Sequence, residues 1–165
     1  MDGEEHDRHR RSRPPRDGLA RMAKSLGINT DVARVRRVGG GIASATHAVS
    51  FADGRSIVIK RYPSDAAAVQ SEWDRLCFAY HAGVPVPEPL GVDAEGVWFG
   101  GPTLVMARIP GRTDFAPSNP ARYATEVVVA LKQIHEVDVA TATSTVLGLH
   151  QFDTWEPPPA VPPGL

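Results

Sequence analysis

The stretch from Val35 to Lys60 constrains the fold more than any other part of the sequence, because β-prone runs alternate in it with turn residues. Three successive glycines, Gly39 to Gly41, separate the first run from the second, and only glycine reaches positive φ without steric penalty. The dipeptide Asp53-Gly54, a strong two-residue hairpin signal, separates the second run from a third. The stretch therefore predicts a glycine hairpin, a strand at Ala45–Phe51 and a further strand at Arg55–Arg61.

Alternation along the last of these strands places Ile57 and Ile59 on one face and Val58 and Lys60 on the other. Because Lys60 shares its face with an apolar residue, we interpret that face as the wall of a cleft. The glycine loop has two interpretations. Its amides could hold a ligand phosphate, or it could be a flexible turn, since Ser44 stands where a G-x-G-x-x-G motif has its third glycine. Lys60 taken alone is also consistent with a solvated charge.

Composition and charge exclude several classes of protein. The 165 residues are enough for one domain with a real core. A net charge of −1 argues against a dedicated nucleic-acid-binding protein, and the single cysteine, Cys77, excludes an intrachain disulfide framework. No run reaches the roughly 18 apolar residues of a transmembrane helix, and the N-terminus has no secretory pattern. We therefore expect a cytoplasmic protein with no membrane partner.

Residues 1–18 are almost entirely charged or turn-forming, with acidic residues giving way to arginines. Such a segment cannot bury enough apolar area to offset its ordering entropy, so we predict a disordered tail. Its arginines suggest an alternative function, binding to nucleic acid, although runs of charge are usually solvated. The following run, Leu19–Leu26, has helical apolar spacing and ends at Gly27.

A long helix is predicted from about Ala66 to Ala82, with Pro63-Ser64-Asp65 offering caps. Its apolar stripe consists of Val69, Trp73, Leu76 and Tyr80. Glu72 lies within or beside this stripe, and the periodicity leaves two readings open. Either Glu72 is drawn toward the core and paired, with Lys60 as its natural partner, or it lies just outside the stripe and is solvated.

The second half of the chain adds strands and another helix. Strands are predicted at Leu90–Val92, Val97–Phe99 and Thr103–Ile109. A helix opened by Pro120 extends to about Val137, and from residue 140 the composition shifts to threonine and then proline, as in a linker or tail. Together these elements predict an α+β fold with about five antiparallel strands in one sheet and one long packed helix.

The combination of these features is more specific than any one of them. A glycine hairpin, a strand ending in Lys60, a carboxylate on a helix twelve positions later and the segment Met106-Ala-Arg-Ile-Pro-Gly111 resemble the N-terminal lobe of the aminoglycoside phosphotransferase family. The segments Val84-Pro-Val-Pro87 and Leu131-Lys-Gln-Ile-His135 add to the resemblance, which covers about residues 20–140. It implies a protein-kinase-like fold and an ATP-dependent kinase of small molecules.

The resemblance also implies a role for each matching residue. The glycine-rich loop would cover the ATP phosphates, Lys60 would contact the α- and β-phosphates, and Glu72 would hold Lys60 in place. Met106 would stand at the back of the adenine pocket, with the Ala107 carbonyl and the Ile109 amide bonding the adenine edge. The implied nucleotide-binding residues are Gly39, Gly40, Gly41, Ser44, Lys60, Glu72, Met106, Ala107 and Ile109.

The catalytic half of such an enzyme has no counterpart in this sequence. The family's C-terminal lobe should supply a His-Gly-Asp loop, followed by an asparagine and a second aspartate that hold Mg²⁺. The chain contains His150-Gln-Phe-Asp153, but Pro158 stands where that asparagine is needed and the last asparagine is Asn119. We therefore assign no catalytic or metal-binding residue.

The resulting expectation is the ATP-binding half of a kinase, truncated and inactive alone unless a separately encoded C-terminal lobe supplies the missing residues. It divides the chain into a tail at 1–18, a nucleotide-binding lobe at 19–112, the first helix of the C-terminal lobe at 113–139 and a tail at 140–165. The alternative is a non-catalytic module that binds a nucleotide or a protein partner, because the apolar face of the helix at 120–137 would lack its usual cover.

Overall fold

The computed structural model describes residues 12–39, 44–111 and 116–138. The helices described are α1 (Arg16–Ser25), α2 (Ala66–His81) and α3 (Pro120–His135). The strands are β1 (Val32–Arg37), β2 (Ala45–Phe51), β3 (Ser56–Arg61), β4 (Pro89–Asp93) and β5 (Thr103–Ala107). The predicted tail at 140–165 lies outside the described residues, as do residues 1–11 of the predicted N-terminal tail.

The strands form a single antiparallel sheet in the order β1-β2-β3-β5-β4. The β2–β3 hairpin turns where the sequence predicts it: Gly54 has φ of +89° and its amide donates to the Phe51 carbonyl at 3.1 Å. Helix α2 packs on this sheet and ends one residue earlier than predicted. The predicted α+β fold, with five antiparallel strands and a long packed helix, is therefore confirmed.

The two faces of the sheet carry two separate apolar clusters. Helix α1 covers one face, where Met22, Ile59 and Val105 are fully buried. Helix α2 covers part of the other face, where Val69 packs with Leu104. Ile57 and Ile59 lie in the α1 cluster and Val58 and Lys60 are only half-buried, so the alternation predicted for β3 is confirmed.

Helix α1 begins at Arg16, inside the segment predicted to be a disordered tail. The Leu19 amide donates to the Pro15 carbonyl at 3.1 Å, which closes the first turn. Gly18 is buried, and the absence of a Cβ there lets the helix approach the Phe99 ring and the Trp98 carbonyl. The prediction for residues 16–18 was wrong because the composition of a segment gives no information about a packing partner that is distant in the sequence.

The strand predicted at Val97–Phe99 is also wrong, because these residues form a turn. Buried Asp93 accepts hydrogen bonds from the amides of Val97 at 3.0 Å and Trp98 at 2.6 Å. The Arg21 side chain on α1 donates to the Val97 carbonyl at 3.1 Å and to the Trp98 carbonyl at 2.8 Å. Main-chain groups engaged by Asp93 and Arg21 are not available for a strand ladder.

The apolar stripe predicted on α2 holds for three of its four positions. Val69 is buried, and Trp73 and Leu76 are half-buried against the cluster on that face. Tyr80 was wrongly included: it is 41% exposed and makes an edge-to-face contact with His81.

Helix α3 differs from the other two helices because nearly all of its residues are exposed. Asn119 caps it by accepting from the Arg122 amide at 3.0 Å, and Pro120 opens it. Its exposed large apolar side chains are Tyr123, Val127, Val128, Val129, Leu131 and Ile134. Among the described residues, none of the helices has both the length and the apolar character needed to cross a membrane.

Candidate functional site

The centre of the site is an ion pair that joins the sheet to α2. The ammonium Nζ of Lys60 on β3 donates to Oε1 of Glu72 on α2. The pairing comes from alternation on β3, which turns Lys60 toward the face on which α2 packs. The side chains are 26% and 37% exposed, so the pair lies at the boundary between the core and solvent. Of the two readings left open for Glu72, the paired one is therefore correct.

A third side chain completes this arrangement. Tyr62 follows β3 by one residue, and its hydroxyl donates to Oε2 of Glu72. The Lys60 Nζ lies 5.6 Å from the centroid of the Tyr62 ring, within the range of a cation–π contact. Tyr62 was not predicted as a site residue, although alternation beyond Lys60 places it on the same face.

Beside Lys60 the same face of the sheet carries a row of apolar side chains. Val58 lies opposite Ala48 on β2 and opposite Met106 on β5, so these three residues form a line across three strands. Ala48 is buried, whereas Val58 and Met106 are half-buried. Alternation on β3 predicted Val58 on the wall of this face, whereas Ala48 was missed, because strand register rather than any local motif places it beside Val58.

The glycine-rich segment is described only at its ends. Gly39 follows β1 and is exposed, and a Cβ built there would have no neighbour within 4 Å. Ser44 is buried before β2, with its Oγ hydrogen-bonded to Oγ1 of Thr46 at 3.1 Å. Gly40 and Gly41 lie outside the described residues, so their predicted contact with phosphates stays a prediction.

The predicted adenine-binding residues lie at the end of β5 and just after it. The Ala107 amide donates to the Glu88 carbonyl at 2.8 Å, which ties the end of β5 to the segment before β4. The Arg108 amide donates to the Ser56 carbonyl at 3.1 Å, and Ile109 is exposed beyond the ladder. The observed strand ends at Ala107, two residues earlier than predicted.

The opposite face of the sheet carries a buried basic pair of a different kind. His47 and Arg61 are both almost fully buried, and the Arg61 guanidinium donates to the Ser12 carbonyl and lies 5.7 Å from the Phe99 ring centroid. Burial, followed by repulsion from Arg61, lowers the pKa of His47 to about 4. His47 is therefore neutral at physiological pH. This pair lies on the α1 side and takes no part in the Lys60 site.

The described residues contain no group of three His, Cys, Asp or Glu side chains that could hold a metal ion. His150 and Asp153 lie outside the described residues. The arrangement around Lys60 can bind an anion beside a flat apolar surface, and these residues offer no set of carboxylates for a divalent cation.

Comparison with known proteins gives both a family match and a fold match. Residues 34–160 match the phosphotransferase enzyme family. Among curated proteins, no match is found. A solved structure from Ralstonia eutropha JMP134, named as a candidate aminoglycoside phosphotransferase, superposes with a TM-score of 0.62 at 16% identity. It is matched over 88% of this chain and 43% of its own chain.

Two further structures contain nucleotides. APH(2")-IIia, solved with GDP and kanamycin, has a TM-score of 0.52 at 11% identity, over 79% of this chain and 44% of its own. Spectinomycin phosphotransferase APH(9)-Ia, solved with ADP and spectinomycin, has a TM-score of 0.50 at 14% identity, over 73% of this chain and 38% of its own. At these identities the likeness shows the fold alone, and this chain spans less than half the length of each of the three.

Proposed function

This chain belongs to the phosphotransferase enzyme family, as its sequence resemblance predicted, and we propose that it forms the ATP-binding half of a small-molecule kinase. The observation that carries the proposal is the Lys60–Glu72 ion pair beside the apolar row of Ala48, Val58 and Met106. Relatives of the same fold were solved with ADP or GDP.

The chemistry of this face suits a nucleotide. A purine ring is flat and apolar on its faces, so it would pack against the row formed by Ala48, Val58 and Met106. Lys60 lies two positions along β3 from Val58, a separation of about 7 Å, which is suitable for phosphates attached to such a base through a ribose. Its ammonium would neutralise phosphate charge, while Glu72 orients it before the ligand arrives.

The remaining predicted residues would complete this site. The Ala107 carbonyl and the Ile109 amide would pair with the adenine edge, where the ladder of β5 has ended. The loop from Gly39 to Ser44 would close over the phosphates with its main-chain amides.

Catalysis would need residues from another part of the enzyme. Phosphoryl transfer depends on Mg²⁺ and on a carboxylate that accepts the proton of the substrate hydroxyl, and the residues described here offer no metal-binding cluster. We propose that a polypeptide segment corresponding to the remaining length of the relatives supplies them, whether it is encoded with this chain or separately. This chain by itself would bind ATP without turning it over.

The experiment that tests the proposal is thermal unfolding with and without Mg-ATP. A ligand that binds only the folded state stabilises it by RT ln(1 + [L]/Kd), which is about 2.7 kcal/mol at one hundred times Kd. We expect the midpoint to rise in the parent and in Lys24→Ala, which removes an exposed lysine of α1, and not in Lys60→Ala. An unchanged midpoint in the parent, or a rise that persists in Lys60→Ala, would contradict the proposal.

A second candidate is a non-catalytic module that binds a nucleotide or a protein, and the exposed apolar side chains of α3 favour it. The two candidates differ in what happens when a catalytic half from a relative is added. Mg-ATP turnover that depends on the added half and on Lys60 supports the kinase. Complex formation without turnover supports the non-catalytic module.

A further inference from the structure

Tyr62 occupies a place on the sheet that the ladder itself defines. Its amide donates to the Pro102 carbonyl at 2.8 Å, so the pairing of β3 with the β5 side continues for one residue beyond the strand. The side chain therefore follows the alternation and lies on the face of Lys60. Its ring is buried and packs in the cluster of Val69 and Leu104.

From this position Tyr62 contacts both members of the ion pair. Its hydroxyl donates to Oε2 of Glu72, while Lys60 donates to Oε1, so each carboxylate oxygen has its own donor. The centroid of its ring lies 5.6 Å from the Lys60 Nζ. Glu72 is thus held between a flexible cation and a fixed hydroxyl.

The two donors to Glu72 differ in rigidity. Lys60 and Glu72 have long side chains that are partly solvated, and such pairs are weak restraints on their own geometry. Tyr62 has two side-chain torsions and a buried ring, so its hydroxyl is fixed by the core. A hydrogen bond from a fixed donor selects one orientation of the Glu72 carboxylate.

We propose that Tyr62 is a positioning residue, which fixes Glu72 through Oε2 so that Oε1 holds the Lys60 ammonium ready for the nucleotide phosphates. This inference rests on the proposed function. Burial and then the neighbouring Glu72 raise the pKa of Tyr62, so its hydroxyl keeps the proton that this role requires. The role is indirect, because Tyr62 acts through Glu72.

The first test needs no nucleotide. The chain has three lysines, Lys24, Lys60 and Lys132, and competitive acetylation followed by mass spectrometry reports the reactivity of each amine in the folded protein. Tyr62→Phe keeps the buried ring and removes only the hydroxyl. We expect it to raise the acetylation rate of Lys60 relative to Lys24 by about threefold, because the ammonium is then less firmly paired. Tyr80→Phe, on exposed Tyr80, should leave this ratio unchanged.

A double-mutant comparison separates positioning from packing. If Tyr62 acts through Glu72, Tyr62→Phe should have no further effect on Lys60 reactivity in a Glu72→Gln background. A purely structural hydroxyl would alter the unfolding midpoint and give additive effects. Unchanged Lys60 reactivity in Tyr62→Phe, or additive effects in the double variant, would overturn the inference.

The second test measures affinity for Mg-ATP by isothermal titration. Tyr62→Phe should weaken binding about fivefold in the parent background and leave it unchanged in Glu72→Gln. Equal affinity of the parent and Tyr62→Phe would overturn the inference. If the parent binds no Mg-ATP, the proposed function fails, and the acetylation ratios still decide whether Tyr62 positions Lys60.

Discussion

The ammonium of Lys60 on β3 contacts the carboxylate of Glu72, which lies twelve positions later on α2. Because one partner belongs to the sheet and the other to the helix, the seating of α2 determines where the cation lies. The pair is partly exposed, so its contribution to stability is small, less than about 1 kcal/mol. Under the proposed function, the ion pair serves to orient the Lys60 ammonium.

The first prediction separates the contribution of Glu72 to stability from its contribution to nucleotide binding. Glu72→Gln keeps the shape of the side chain and removes its charge, so we expect a change of less than about 1 kcal/mol in the free energy of unfolding. Affinity for Mg-ATP should fall about tenfold, or about 1.4 kcal/mol. Urea unfolding and titration calorimetry measure the two quantities. Glu126→Gln, which removes a surface partner of Arg122 on α3, is the control and should leave the affinity unchanged.

The second prediction concerns the contact between α1 and the turn at 97–99. Alanine normally stabilises a helix by about 1 kcal/mol relative to glycine. At Gly18, however, a Cβ would lie 2.5 Å from the Phe99 ring and 2.6 Å from the Trp98 carbonyl oxygen. Because the main chain cannot turn away as a side chain can, we expect Gly18→Ala to destabilise the fold by about 2 kcal/mol in urea. Gly39→Ala, which has open space around it, should change stability by less than about 0.5 kcal/mol; equal effects would contradict this account.

The third prediction concerns buried Asp93. Its carboxylate accepts from the amides of Val97 and Trp98, and Asp93→Ala would leave both amides without that partner. We expect a loss of about 2–4 kcal/mol in the free energy of unfolding. Asp53→Ala is a matched control, since Asp53 also accepts a main-chain amide, that of Arg55 at 3.0 Å, but in an exposed turn. A loss at Asp93 no greater than at Asp53 would show that burial does not set the penalty.

The strands and helices that alternation or caps define could be predicted from the sequence. The hairpin at Asp53-Gly54 and the faces of β3 depend on neighbouring residues alone, so local rules suffice. The turn at 97–99 could not be predicted, because Asp93 and Arg21 take up its main-chain groups and Arg21 lies 76 residues away along the chain. The β-prone residues of this turn do not themselves indicate that such a distant partner exists.

The candidate site, too, could be predicted only in part from local sequence rules. Lys60 and Glu72 could be proposed as site residues from their spacing. Periodicity, however, placed Glu72 at the edge of the apolar stripe of α2 and did not decide whether it is paired. The pairing depends on how α2 packs on the sheet. Ala48, Val58 and Met106 are aligned by strand register, which depends on the pairing of β3 with two strands distant from each other in the sequence. Residues that meet through register have no common motif.

The fourth prediction is a pH dependence that arises at His47. Burial and then Arg61 lower its pKa to about 4 in the folded protein, whereas an unfolded histidine titrates near 6.5. As pH falls through 6.5 the unfolded state takes up a proton that the folded state does not, so stability decreases with falling pH. Between pH 7 and pH 5 this amounts to about 1–2 kcal/mol.

The measurement for His47 is urea unfolding of the parent and of His47→Gln at several values between pH 7 and pH 5. The variant should lose less stability than the parent over this range. His135→Gln, which changes an exposed histidine at the end of α3, should follow the parent. Parallel profiles for the parent and His47→Gln would contradict the assignment.

The fifth prediction concerns helix α3, whose large apolar side chains are exposed, unlike those of the sheet. Leu131 is 47% exposed and Leu104 is fully buried, so the same residue type has a different role at each position. Leu104→Ala should destabilise the fold by about 2–5 kcal/mol, because it leaves a cavity in the cluster beneath α2. Leu131→Gln, which keeps helix propensity, should change the free energy of unfolding by less than about 0.5 kcal/mol.

The substitutions at Leu131 and Leu104 should rank in the opposite order when binding to an added catalytic half is measured instead of stability. The reason is that an exposed apolar face contributes its free energy only when a partner covers it. We expect Leu131→Gln to weaken capture of that half in a pull-down with purified components, and a Leu104 variant that is still folded at low temperature to retain capture. If Leu131→Gln instead unfolds the chain, α3 is already part of its core. If it leaves capture unchanged, the apolar face of α3 is not the surface through which the two halves join.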